Sequence, residues 1–384
     1  MKKMWTWHRF FVEFALQRSV REREPIEKGN CLTEKNKMVS RRKRKWPKRT
    51  AVFSLCFLAV IILLTLTSGA LDKKLQLVLA TATTGGTYYP VGVAIATITT
   101  NNLDTTDNIS MTAITSAGSG ENIQLLKNRE ADMAIIQSLY GAMAWQGRGR
   151  YQDKPQRYIR SLTVLWENVE HFVVLEKYAE TGDMTDLKNI KKKNFSIGKR
   201  GSGTETSGRV ILQALGYNPT KDFKLKYLGY NPSAGALQNG RIVGMNIPAG
   251  PPASAITQAY AVLGSRGMRI LTFTESQLDT VNSEYAVWKR AILKPGTYPG
   301  QDRPIRTISQ SNLLIVHEDI GEDQIYKIVK NMYDHLPFLR QVHRATETMS
   351  LENALEGLSV PLHPGALKYY QEQGLSIPPH LVLN

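Results

Sequence analysis

A chain of 384 residues with 42% hydrophobic side chains is long and apolar enough to pack two lobes, which excludes a disordered protein. Its formal charge of +16 suggests nucleic-acid binding until the cations are located: residues 1–70 hold 16 Lys and Arg against 5 acids, and residues 71–384 hold 33 against 28. So mild an excess gives no nucleic-acid footprint, and with Cys31 and Cys56 both in the first 70 residues the rest has no disulfide, thiol nucleophile or cysteine-bound metal.

Residues 1–37 join WTWHRFFVEFAL to the mixed-charge tail REREPIEK and look like no part of a targeting signal. They read as an N-terminal extension or as a start codon placed too far upstream, because Met38 would begin a leader of ordinary length. Residues 38–70 contain the basic run RRKRKWPKR, an uncharged apolar run over 51–66, and a small-x-small pair with Ser68 at −3 and Ala70 at −1. That order is a signal peptide, or a signal anchor if left uncleaved, and either exports the globular part to the periplasm or another extracytoplasmic space.

Residues 75–101, LQLVLATATTGGTYYPVGVAIATITTN, read as strand, glycine turn and helix. Leu75, Leu77 and Leu79 alternate, Gly85 and Gly86 end the strand, Thr87 is the expected N-cap, and Val91, Ile95 and Ile98 repeat at helical spacing. Unpaired N–H groups at such a helix start suit a carboxylate, and two glycines would let it approach the backbone; the alternative is a tight turn that binds nothing. A second such start follows the strand at 109–115, with Gly118-Ser119-Gly120 before a helix over 121–128. The next strand, 133–136, ends at Gln137 and Ser138, the strand edge where open α/β sheets place ligands.

A third start follows the strand at 194–198, where Ser202-Gly203-Thr204-Glu205 fits a capping box. The loop GKRGSGT lacks the P-loop ending and the dinucleotide glycine spacing, so nucleotide binding is disfavoured. Strands at 223–228, 243–247 and 269–273 then alternate with helices at 234–239 and 253–263, which implies α/β architecture. PAGPP at 248–252 forbids helix and suits a cleft wall; YPGQDRPIR at 298–306 is irregular; 309–316 is a strand and 321–373 mostly helical. Catalysis has little to work with: there is no G-x-S-x-G elbow and no H-E-x-x-H. Glu167 and Glu170 pair on a segment between lobes, where a solvated or hydrogen-bonded Glu is expected rather than a tuned acid and base.

At TATTGGTYYPVG the chain resembles the TAXI family, solute receptors of one class of TRAP transporter. The likeness continues through SAGSGENIQLLKNREADMAIIQ, GKRGSGTETSGRVILQALGY, IPAGPPASA, YPGQDRPI and SLENALEGLSVPLHPGALKYY, covering essentially all of 72–384. It implies a type II periplasmic-binding-protein fold: two α/β lobes, two hinge crossings and a ligand in the cleft. Lobe I is then expected over 71–168 with a return over 309–384, and lobe II over 169–308. The resemblance places Thr84, Gly85, Gly86, Thr87, Tyr88, Ser119, Gln137, Gly201, Ser202, Gly203 and Thr204 at or near the ligand.

The expected function is capture of a small carboxylate, such as an amino acid, and delivery to integral-membrane TRAP subunits. The protein is expected to be a monomer, not an enzyme, without cofactor or metal. Backbone N–H groups are expected to hold the carboxylate, with Arg200 secondary. The alternative of another class is a membrane-tethered sensor using the same lobes to signal to a partner protein.

Overall fold

The computed structural model describes residues 74–383, so the readings of the extension, signal and anchor over 1–70 lie outside the described residues. In chain order the first sheet opens with β1 (Leu75–Ala80), β2 (Ile109–Ile114) and β3 (Met133–Gln137), joined by α1 (Tyr88–Asp107) and α2 (Ser119–Lys127). Next come α3 (Ser138–Gln146), β4 (Ile159–Val169) and β5 (Phe172–Leu175). Then β6 (Asn194–Ser196), α4 (Gly203–Ala214), α5 (Pro219–Asp222), β7 (Lys224–Lys226), α6 (Tyr230–Gln238), β8 (Gly244–Asn246), α7 (Ser254–Leu263) and β9 (Met268–Ile270) alternate. The chain ends with α8 (Glu275–Val281), β10 (Lys289–Leu293), β11 (Ile305–His317), α9 (Glu322–Asp334), α10 (Leu336–Val342) and α11 (Pro364–Glu372).

Two sheets result. One runs β10-β11-β3-β1-β2 with β4 also on β11; the other runs β7-β6-β8-β5-β9. β1 lies between β2 and β3, parallel to both, which requires crossover helices, and α1 and α2 supply them. A strand so placed is covered on both faces, which is why Leu77, Leu79 and Ala80 are completely buried. The chain passes between the sheets at Glu170-His171, between β4 and β5, and again between β9 and β10. β10, inside 169–308, pairs antiparallel with β11, so by strand pairing the chain has rejoined the first sheet by Lys289.

Three local differences from the sequence reading have physical causes. Thr87 stands at the N-cap position but does not cap: its hydroxyl donates to the Gly250 carbonyl at 2.8 Å. α6 begins at Tyr230 rather than 234, because Pro232 falls in the first turn, where a missing N–H costs nothing. α3, SLYGAMAWQ, has no apolar periodicity to read because nearly all of it is buried.

Candidate ligand site

The N-termini of α1, α2 and α4 and the carboxyl end of β3 converge on a narrow cavity between the two sheets. Gly86, Thr87, Tyr88, Ser119, Gln137, Ser202, Gly203 and Thr204 line it. Three residues of the sequence-derived set lie outside the lining. Thr84 is exposed, Gly85 accepts from Ser254 Oγ (3.0 Å) and Ala255 N (3.3 Å), and the Gly201 carbonyl accepts from Glu121 N at 3.1 Å. The wall also contains Asn168, Lys199 and Tyr230, which the sequence reading did not place at the ligand, and Pro248 and Ala249 from the PAGPP segment expected at a cleft wall. A signal for Asn168 exists in retrospect: it is an amide inside the long apolar strand SLTVLWENV.

At the glycines the opposite lobe also comes close. A β-carbon at Gly85 would stand 2.3 Å from Asn231 Oδ1, and one at Gly86 would stand 2.8 Å from the Tyr230 ring. At Gly203 it would meet Gln137 Oε1 and Ser119 Oγ at 2.6 Å. These positions let the opposite lobe approach, so the molecule is seen with its cleft closed.

Ser202 accepts from Glu205 N at 3.0 Å, one arm of the capping box, while the Glu205 carboxylate reaches Gly201 N at 2.8 Å instead of the cap residue's own N–H. The first-turn N–H groups of Gly203 and Thr204 have no place in the helix ladder and sit at the cavity wall. Gln137 and Asn168 are 2% and 1% exposed, and Gln137 Oε1 and both amide atoms of Asn168 are without a hydrogen-bond partner among the described residues. Buried polar atoms left unpaired at a cavity wall are the ones a ligand or water would satisfy. Tyr88 donates to Asn312 Oδ1, and Tyr230 hydrogen-bonds Thr204 Oγ1 at 2.9 Å and the Pro248 carbonyl at 2.5 Å. Burial, chiefly, raises both phenols, so they remain protonated donors. Among the described residues the only charged one in the lining is Lys199, exposed at the mouth. Arg200 stacks on Tyr227, 3.7 Å from its ring centre.

Behind the wall lies Glu170, which is fully buried rather than solvated. Desolvation drives its carboxyl up to about 7, against the hydrogen bond that Asn246 Nδ2 donates to Oε2 at 2.9 Å. Its neighbour His171 is pushed down to about 4 by burial. Nδ1 of that ring faces the Ile247 carbonyl at 2.9 Å and so carries the proton, which leaves Nε2 to accept from Tyr298 Oη at 2.7 Å. Among the described residues no three His, Cys, Asp or Glu side chains gather to hold a metal, and no helix is long and apolar enough to cross a membrane.

Two α/β lobes, joined by two chain crossings and closed over a polar cavity, define the type II periplasmic-binding-protein class of fold. The chain belongs to the NMT1-like family, whose pattern matches residues 79–374. Among solved structures it is similar to the alkanesulfonate-binding protein SsuA from Xanthomonas axonopodis pv. citri bound to MOPS (13% identity, 79% of this chain and 92% of that one, TM-score 0.43). The periplasmic aliphatic sulphonate binding protein SsuA from Escherichia coli is similar at 13% identity, 78% and 83% coverage and TM-score 0.40. A putative L-cystine ABC transporter from Listeria monocytogenes matches at 11% identity, 71% and 97% coverage and TM-score 0.42.

Proposed function

We propose that the protein is an exported solute-binding receptor of an import system, which takes a small carboxylate into the interlobe cavity and delivers it to integral-membrane transporter subunits. The observation that carries this reading is the meeting of the N-termini of α1, α2, α4 and α6 around buried Gln137 and Asn168, whose unpaired amide atoms lie at a cavity with no acid in its wall among the described residues. Each charge-assisted bond from such an N–H contributes roughly 1.5–3 kcal/mol. The six segments that resemble the TAXI family support TRAP-type membrane subunits as the partner. Lobe closure is then the binding step, with the solute favouring the closed population over the open one.

A thermal-shift screen of carboxylates and amino acids, with sulfonates and neutral amides alongside, tests this. A solute at about 100 times its Kd adds about 2.7 kcal/mol and raises the melting temperature. If neutral amides shift the protein and no carboxylate does, the anion reading fails. Arg200→Ala is expected to weaken carboxylate binding by less than about threefold, since one exposed charge in high dielectric contributes little. Calorimetry checks it, and a loss of about 100-fold would show that the guanidinium leaves Tyr227 to clamp the ligand.

A further inference from the structure

The cavity lining does not account for all the polar contacts across the cleft. Tyr140, on α3, is fully buried, and its hydroxyl lies 2.7 Å from Thr206 Oγ1 on α4, across the cleft. Arg150 Nη1 donates to the same tyrosine oxygen at 2.7 Å. A phenol oxygen that accepts from a guanidinium keeps its own proton for Thr206, and the adjacent positive charge strengthens that donation. The backbone bond from Glu121 N to the Gly201 carbonyl lies in the same patch. A β-carbon on Gly120 would stand 2.4 Å from the Gly201 oxygen and 2.6 Å from the Tyr140 hydroxyl, so only glycine permits the approach. Tyr140, Arg150 and Thr206 are absent from the lining of the ligand cavity; Arg150 and Thr206 line a separate open groove with Glu205, Arg209 and Tyr285.

We infer that Tyr140, Arg150 and Thr206 form a closure latch: positioning residues that set how tightly and how long the solute is held without touching it. The inference deepens the solute-receptor reading and rests on it for its effect on affinity, but the latch itself is a property of the unliganded lobes. When the lobes part, Thr206 leaves the tyrosine oxygen, and the part-buried contact with its charge assistance is lost. Removing the hydroxyl should therefore shift the resting equilibrium toward open and quicken dissociation, while the order of preference among solutes stays the same.

Two measurements test this on the full chain with Cys31→Ser and Cys56→Ser. The first places spin labels at Thr97→Cys on α1 and Lys224→Cys on β7, both exposed, and reads the interlobe distance without ligand. Tyr140→Phe, Thr206→Val and the double variant should each raise the fraction at longer distance, the double by less than the sum of the singles. The second follows association and dissociation of L-glutamate as the probe carboxylate: dissociation should quicken about tenfold in Thr206→Val with association nearly unchanged. Thr206→Ser, which keeps the hydroxyl, should restore both readings. Identical distance distributions in wild type and Thr206→Val, or independent single effects in the double variant, would overturn the latch. Shifted distances with no glutamate binding in any variant would leave the latch standing and count against the carboxylate reading alone.

Discussion

Gly86→Val is expected to lower solute affinity by at least about 100-fold, about 2.7 kcal/mol, while the unliganded protein melts close to wild type. A β-carbon there meets Tyr230 Cε2 at 2.8 Å and Cδ2 at 3.0 Å, and valine adds two methyl groups beyond it. The ring cannot simply withdraw, because its hydroxyl is tied to Thr204 and to the Pro248 carbonyl. The added atoms therefore hold the lobes apart, and the binding step is lost while each lobe keeps its own core. Gly86 is not among the residues with positive φ, so valine imposes no left-handed strain of its own. Gly86→Ala should lose less, about tenfold, and Gly235→Ala, where a β-carbon meets nothing within 4 Å, should bind as wild type does. Calorimetry with the solute giving the largest thermal shift measures all three. Wild-type affinity in Gly86→Val would mean that closure at this contact is not part of binding.

Glu170→Gln should stabilise the protein at neutral pH, by an amount that grows as pH rises. The carboxyl titrates near 4.5 when unfolded and near 7 when folded, so between those values the folded state holds more protons than the unfolded one. Stability from this group is fully present below about pH 4.5 and is lost as pH rises through 7. At one unit per 1.36 kcal/mol the loss is about 3 kcal/mol. His171 acts in the opposite direction: its folded value near 4 lies below the unfolded 6.5, so its contribution is present above 6.5 and is lost as pH falls through 4. The two slopes partly cancel in the wild type, and only the difference between wild type and Glu170→Gln isolates the carboxylate. Urea denaturation at pH 4, 5.5, 7 and 8.5 should show that difference near zero at the lowest pH and at a plateau above 7. A difference independent of pH would mean that Glu170 keeps its ordinary acidity in the fold.

The strand-to-helix units were legible because alternation, glycine and capping chemistry are local: LQLVLA, the turn at Gly85-Gly86 and the Ser202 cap follow from neighbours along the chain. The α/β class followed in turn from the order of those units, and the two lobes from the family resemblance. α3 was hidden because a helix buried nearly all round has no polar face to mark its period. What the glycines are for was decided only in three dimensions. Chain order shows a missing side chain, but the atoms that fill the space belong to Tyr230 and Asn231 of the other lobe, more than 140 positions away. Asn168, Tyr230 and the Tyr140–Thr206 contact share that origin, since each depends on which strand ends and helix starts face each other across the cleft. The same holds for Glu170: its burial is set by β5, β8 and β11 packing around the crossing, and the desolvation that shifts its carboxyl exists only once they have done so.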